Sequence, residues 1–235
     1  MIGLRMSLSL RLWLEMTRVL DRAVFHPVSA AGYSLLPRGD PARHGLEVVS
    51  DIPYRGTRDP EQRLDVVRPA DSVRRPVVFY VHGGAFSVLS KDTHRLLAYA
   101  YAELGYAVFI TNYRLGPRHR YPSQLEDATA AFEWVLDRGA ALHGGDPSRI
   151  VLAGESAGAN LVTTLAYAAN NPRREPFARA LYDRAPPIKA VVAAYGLFDM
   201  HDVERLWCNK PHMPFWIRQE LRASVDAYVG WPPEE

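Results

Sequence analysis

The stretch "LAGESAGANL" at residues 152–161 places Ser156 midway between Gly154 and Gly158. A serine hydroxyl is a weak nucleophile at neutral pH, so attack requires an adjacent base, usually a histidine oriented by a carboxylate, and donors for the oxyanion that forms. Small residues two positions either side suit a sharp elbow in which strand and helix come close together. The first N–H after the serine, that of Ala157, then lies at a helix start, where the helix dipole also favours an oxyanion. A second stretch, "FYVHGGAF" at 79–86, ends an apolar run in two glycines. The successive backbone N–H groups of Gly83 and Gly84 can complete an oxyanion hole with Ala157. Together the two stretches describe acyl transfer through a serine.

For these residues to meet, strands must deliver them to one edge of a sheet. "LEVVSDI" and "RLDVVRP" alternate apolar with polar residues, as half-buried strands do, whereas "PVVFYV" and "YAVFITNY" are near-continuous apolar runs, as parallel strands covered on both faces are. Helical spacing is expected over about 93–104, 124–142 and 157–169, and further strands over 149–153 and 188–194. Alternating strands and helices imply an α/β fold with a mainly parallel central sheet. Ser156 then stands where the strand "RIVLAG" gives way to a helix. The connection "NNPRREPFARALYDRAPP" reads as surface loop with some helix.

The bulk numbers agree with one ordinary globular domain: 235 residues, 48% hydrophobic and 23% charged. A net charge of +2 with scattered arginines argues against nucleic acid and favours a small-molecule partner. Cys208 is the only cysteine, which excludes an intrachain disulfide or a thiolate metal cluster and fits a cytoplasmic setting. Near the N-terminus, Arg5, Arg11, Glu15 and Arg18 interrupt the apolar runs, so neither a membrane span nor a cleaved signal peptide is expected. Leu8, Leu12, Met16, Val19 and Leu20 share one face at helical spacing, which reads as an amphipathic helix packed on the rest of the protein.

The motifs resemble the hormone-sensitive-lipase-like group of α/β-hydrolases and the related carboxylesterases. The likeness runs over about 46–199 in "HGGAF", "NYRLGPRHRYPSQLEDA", "GGDPSRIVLAG" and "GESAGAN". It implies an α/β-hydrolase fold and carboxylic ester hydrolysis through an acyl-serine, with no metal or organic cofactor. It also implies an N-terminal helical lid segment at 1–45, a core at 46–199 and a second lid segment at 200–235. One departure is Ala85, which stands where the family's loop has a third glycine.

The larger departure concerns the triad partners. The family takes its acid and its histidine from later D-P-L-like and H-G-F-like motifs, in chain order Ser, Asp, His. Neither motif is present, so the fold is expected to be C-terminally incomplete, with six strands where the family builds eight and "IKAVVAAYG" left as an apolar edge open to self-association. The acid and base are therefore unassigned. His82 reads as a loop-positioning residue, Asp199 as a helix cap or turn residue, His201 and His212 as surface histidines, and Asp127 as a helix or loop contact. Tyr113 and Arg114 read as loop-holding residues; Phe86, Tyr195, Phe198, Trp207 and Trp216 serve equally as packing or as acyl-pocket lining. Three readings stay open: a serine esterase impaired for want of acid and base, a catalytically silent ligand-binding or interaction protein, and amide or formamide hydrolysis on the same machinery.

Overall fold

Six strands pair into one sheet in a computed structural model that describes residues 39–208, 210 and 212–230, together with positions 16, 19, 23, 24 and 28. They are β1 (Leu46–Pro53), β2 (Arg63–Pro69), β3 (Arg75–Val81), β4 (Ala107–Thr111), β5 (Gly145–Glu155) and β6 (Ile188–Ala194). Their order is β1-β2-β4-β3-β5-β6. β1 and β2 are antiparallel to each other, β2 is antiparallel to β4, and β4, β3, β5 and β6 run parallel. The helices are α1 (Arg95–Glu103), α2 (Ser123–Trp134), α3 (Ala157–Asn170), α4 (Pro176–Arg184), α5 (Arg205–Cys208) and α6 (Phe215–Tyr228). The helix read from sequence as far as 142 is α2 continued through a π-type turn (Val135–Gly139) into a last turn (Ala140–Leu142).

The near-continuous apolar run of β3 is explained by burial on both faces. Val77, Phe79 and Val81 face a core shared with Phe132 of α2, Leu161 and Leu165 of α3 and Leu181 of α4. Val78 and Tyr80 point the other way, onto Ala98, Tyr99 and Ala102 of α1. Each large side chain removed from water here contributes about 1.5–3 kcal/mol, and the pair Phe79–Phe132, with centroids 5.2 Å apart, adds an aromatic contact. β6 differs. It pairs with β5 alone among the described residues, and Val191 and Val192 are 39% and 44% exposed.

Beyond β6, α5 and α6 pack together through Val203, Trp207 and Val225. The end of α6 docks on the core: Tyr121 N donates to Tyr228 O at 2.7 Å, and the Tyr228 ring stacks on Phe86 at 3.9 Å. Most of the expected N-terminal lid segment lies outside the described residues. Met16 and Val19, expected on its inward face, are 63% and 65% exposed, so these two positions do not show the packing expected of them.

Candidate active site

The parallel strands bring the two glycine-containing stretches to the same edge of the sheet. β3 and β5 are neighbours in register, with Val81 opposite Gly154, so the loop after β3 and the turn after β5 start side by side. The contact there leaves no room for side chains. A Cβ on Gly158 would lie 2.0 Å from Val81 O, and one on Gly154 would lie 2.7 Å from the Gly158 carbonyl carbon. Ser156 is forced to φ +52°, ψ −116°, a conformation that costs a non-glycine residue on the order of 1–3 kcal/mol. Its N–H donates to Ala194 O at 2.8 Å, which ties the elbow to the end of β6, and its side chain is exposed.

The glycine loop is pinned by charge at both ends. At its start, Gly83 N–H donates to Glu155 Oε1, and a Cβ on Gly83 would lie 2.5 Å from that oxygen. The expected oxyanion donor Gly83 is thus already engaged, because the carboxylate beside the nucleophile accepts its hydrogen bond. Gly84, at φ +108°, and Ala157 have N–H groups without a hydrogen-bond partner among the described residues. At its far end, Lys91 is 2% exposed and its Nζ lies 2.8, 2.9 and 3.1 Å from Asp51, Asp65 and Asp92. A positive φ of +52° at Ala85 shows why a glycine sits more easily there.

The two histidines near the loop are shifted in opposite directions. His82 is fully buried, with Nδ1 2.6 Å from Gly83 O and its ring stacked on Tyr113 at 4.4 Å. Burial, helped by the charge of His94, pushes its pKa down to about 3, so it is a neutral loop support. Burial is the largest influence on His94 and works to lower it as well, but the hydrogen bond and charge of Glu155 and the Ser90 carbonyl together outweigh it and the pKa is raised. For Glu155, burial favours protonation; the His94 bond and charge, the Tyr80 hydroxyl and Gly83 N–H together hold its carboxyl below the ordinary value. Sequence reasoning assigned neither Glu155 nor His94 a role; the signal for them is a carboxylate directly before the serine and the "KDTH" after the glycine loop.

The remaining candidates occupy structural positions. Asp127 is fully buried and accepts from Arg55 Nε, Gln62 Nε2, Arg114 N and Arg114 Nε at 2.7–3.1 Å. Tyr113 donates its hydroxyl to His82 O at 3.0 Å. Asp199 Oδ1 accepts from His201 N and Asp202 N at 3.1 and 3.2 Å, and Oδ2 pairs with Arg205 at 3.0 Å, as a turn cap does. His201 and His212 are exposed. Trp207 is buried beneath Arg222, whereas Tyr195, Phe198 and Trp216 are exposed. Asn160, the last residue of "GESAGAN", holds the loop after β6 through a 2.8 Å bond from Nδ2 to Leu197 O. Among the described residues, none hydrogen-bonds to Ser156 Oγ, none forms a His, Cys, Asp or Glu cluster able to hold a metal, and no helix is long and apolar enough to cross a membrane.

Comparison with known proteins places this geometry in context. The family model described as alpha/beta hydrolase fold matches residues 78–235. Carboxylesterase NlhH of Mycobacterium tuberculosis is 42% identical over 128 residues, which cover 54% of this chain and 37% of that protein. Esterase LipQ of the same organism is 34% identical over 196 residues, covering 82% of this chain and 44% of that one. The solved structure of a hyperthermophilic esterase from the archaeon Pyrobaculum calidifontis matches with a TM-score of 0.66 and 27% identity, over 93% of this chain and 65% of that one. The chain thus spans less than two thirds of the length of each. With its elbow serine, its glycine loop and this strand order, the chain belongs to the α/β-hydrolase fold family, and it is similar to proteins named carboxylesterase and esterase.

Proposed function

We propose that the chain carries the nucleophile and oxyanion hole of a carboxylic ester hydrolase. Ser156 Oγ attacks the ester carbonyl carbon, the carbonyl oxygen becomes an oxyanion held by the N–H groups of Gly84 and Ala157, and the alcohol leaves as the acyl-serine forms. Water then attacks the acyl-serine, releasing the acid and restoring the hydroxyl. The observation that carries this reading is the juxtaposition itself: a serine at φ +52° on the strand-to-helix elbow, with its neighbour Glu155 bonded directly to the glycine loop. Gly83 acts in this scheme through that bond, as the anchor that presents Gly84. The backbone donors require no rearrangement when charge develops, which is where most such catalysis resides.

The surroundings of Ser156 Oγ set the expected rate. No base touches Ser156 Oγ among the described residues, and loss of a triad base costs about 10⁶ in turnover while oxyanion hole and binding retain about 10³–10⁴ over water. The 235-residue chain is therefore expected to hydrolyse an activated short-chain ester only slowly, with slow labelling of Ser156 by a serine-directed phosphonate. The test is p-nitrophenyl acetate hydrolysis and phosphonate labelling by the parent beside Ser156→Ala, His201→Ala and His212→Ala. Loss of both signals with Ser156→Ala alone supports the reading. Rapid turnover abolished by one of the histidine changes would show that the base is His201 or His212. A parent no different from Ser156→Ala, yet able to bind an ester analogue, would favour the silent binding protein. Cleavage of a matched anilide at a comparable rate would move the chemistry to amides.

A further inference from the structure

Glu155 stands one residue before the nucleophile, and its carboxylate is surrounded by donors. Oε2 accepts from the Tyr80 hydroxyl, and Oε1 accepts from Gly83 N–H and, at 2.8 Å, from His94 Nε2. The other nitrogen of His94 also faces acceptors. Nδ1 lies 2.9 Å from Ser90 O and 2.9 Å from Thr93 Oγ1, whose own proton is directed to Ser90 O at 2.7 Å. With the Thr93 hydroxyl turned to Ser90 O, both ring nitrogens of His94 face acceptors; a neutral imidazole donates from one nitrogen only, whereas the imidazolium donates from both. His82, with its ring centroid 5.6 Å away, is kept neutral by burial and so brings no second positive charge beside His94. Tyr101 on α1 interacts with the charge of Glu155, and Lys91, Asp92 and Arg95 stand beside His94 in the chain; Lys91 and Arg95 are themselves paired to aspartates.

We propose that the His94 imidazolium and Glu155 are positioning residues for the oxyanion loop. The charged His94 fixes the carboxylate that binds Gly83 N–H, and because Glu155 and Ser156 are chain neighbours, the same bond sets Gly84 N–H relative to the nucleophile. The proposal rests on the reading of Ser156 as the nucleophile. His94 makes no contact with the reacting atoms; it acts through Glu155. When pH rises through the pKa of His94, one of the two donors on Oε1 weakens and the loop loosens while the fold persists. The raised pKa of His94 and the lowered pKa of Glu155 support this arrangement.

The test is an NMR titration of the full isotope-labelled chain between about pH 5 and about pH 10, which brackets the histidine range. It follows the His94 ring nitrogens and the Gly83 and Gly84 amides, alongside the pH dependence of Ser156 acylation by p-nitrophenyl acetate. A doubly protonated His94 near neutral pH is expected, with both amides shifting at its midpoint and acylation falling on the alkaline side at that midpoint. In His94→Gln, which keeps a neutral donor toward Glu155, the coupled shifts should vanish while the fold remains. In Glu155→Gln, exchange of the Gly83 amide should quicken about tenfold, in line with loss of a charge-assisted hydrogen bond. A His94 that is neutral near pH 7, or amides that ignore its titration, would overturn the proposal whatever the activity. Coupled titration with no acylation at any pH would instead overturn the nucleophile reading, and with it the catalytic purpose of the clamp.

Discussion

Replacing Gly158 by alanine sets two effects of opposite sign against each other. Gly158 lies in the first turn of α3, where alanine is favoured over glycine by about 1 kcal/mol from helix propensity alone. The added Cβ, however, would lie 2.0 Å from Val81 O and 2.8 Å from His82 O. A carbon and a carbonyl oxygen approach no closer than about 3.3 Å, so helix and strand must separate by about 1.3 Å. Both obstructing atoms belong to backbone at the end of β3, the central strand, and neither can rotate away. Overpacking of this kind costs about 3 kcal/mol or more, which leaves a net loss of about 2 kcal/mol after the propensity gain. For a chain of this size that lowers the thermal midpoint by about 4–8 °C. The measurement is a urea titration of parent and variant, with thermal melts beside it. Because His82 begins the glycine loop, the separation also displaces the oxyanion donors, and acylation of Ser156 should slow together with the stability loss. A variant as stable as the parent or more so would show that propensity dominates and that the elbow is not closed as described here.

Further outcomes follow from individual contacts. Lys91→Met leaves Asp65, 1% exposed, without its buried cation, and should cost about 3–5 kcal/mol in a urea titration. Ala85→Gly relieves a φ of +52° at a cost in chain entropy, and should stabilise by up to about 1 kcal/mol by thermal melting; a clear destabilisation would refute the strain. The stability advantage of the parent over His94→Gln should be full below about pH 6.5 and disappear as pH rises through the elevated pKa of His94; the contribution of Glu155, whose pKa is depressed, is present above about pH 4.3 and lost as pH falls through the lowered value. Denaturant titrations across pH would show both arms. The apolar edge at β6 should promote self-association that Val191→Lys reduces, and light scattering showing a monomer at all concentrations would count against it.

Local chemistry already specifies much of this protein. Apolar runs in β3 and β4 are legible as doubly covered strands because burial on both faces removes the polar alternation, and the α3 start is legible from small residues around Ser156, since only they permit the elbow. The π-type turn that carries α2 into its last turn was not legible, and of the nine-residue α4 only some helix in a polar connection was read, not its bounds, because sequence spacing alone does not show where a helix changes its hydrogen-bond pattern or begins within a polar stretch. Tertiary structure alone decided which loop N–H remains free. From sequence, Gly83 and Gly84 are equivalent donors; in the fold, register between β3 and β5 brings Glu155 onto Gly83 and leaves Gly84 open. The same holds for the histidines. His82 and His94 have the same side chain, and only their surroundings, an enclosed stack on Tyr113 for one and two facing acceptors for the other, lower the pKa of the first and raise that of the second. Ionisation and hydrogen-bond capacity belong to three-dimensional neighbours, and those neighbours lie up to 75 residues apart along the chain, as Tyr80 and Glu155 do.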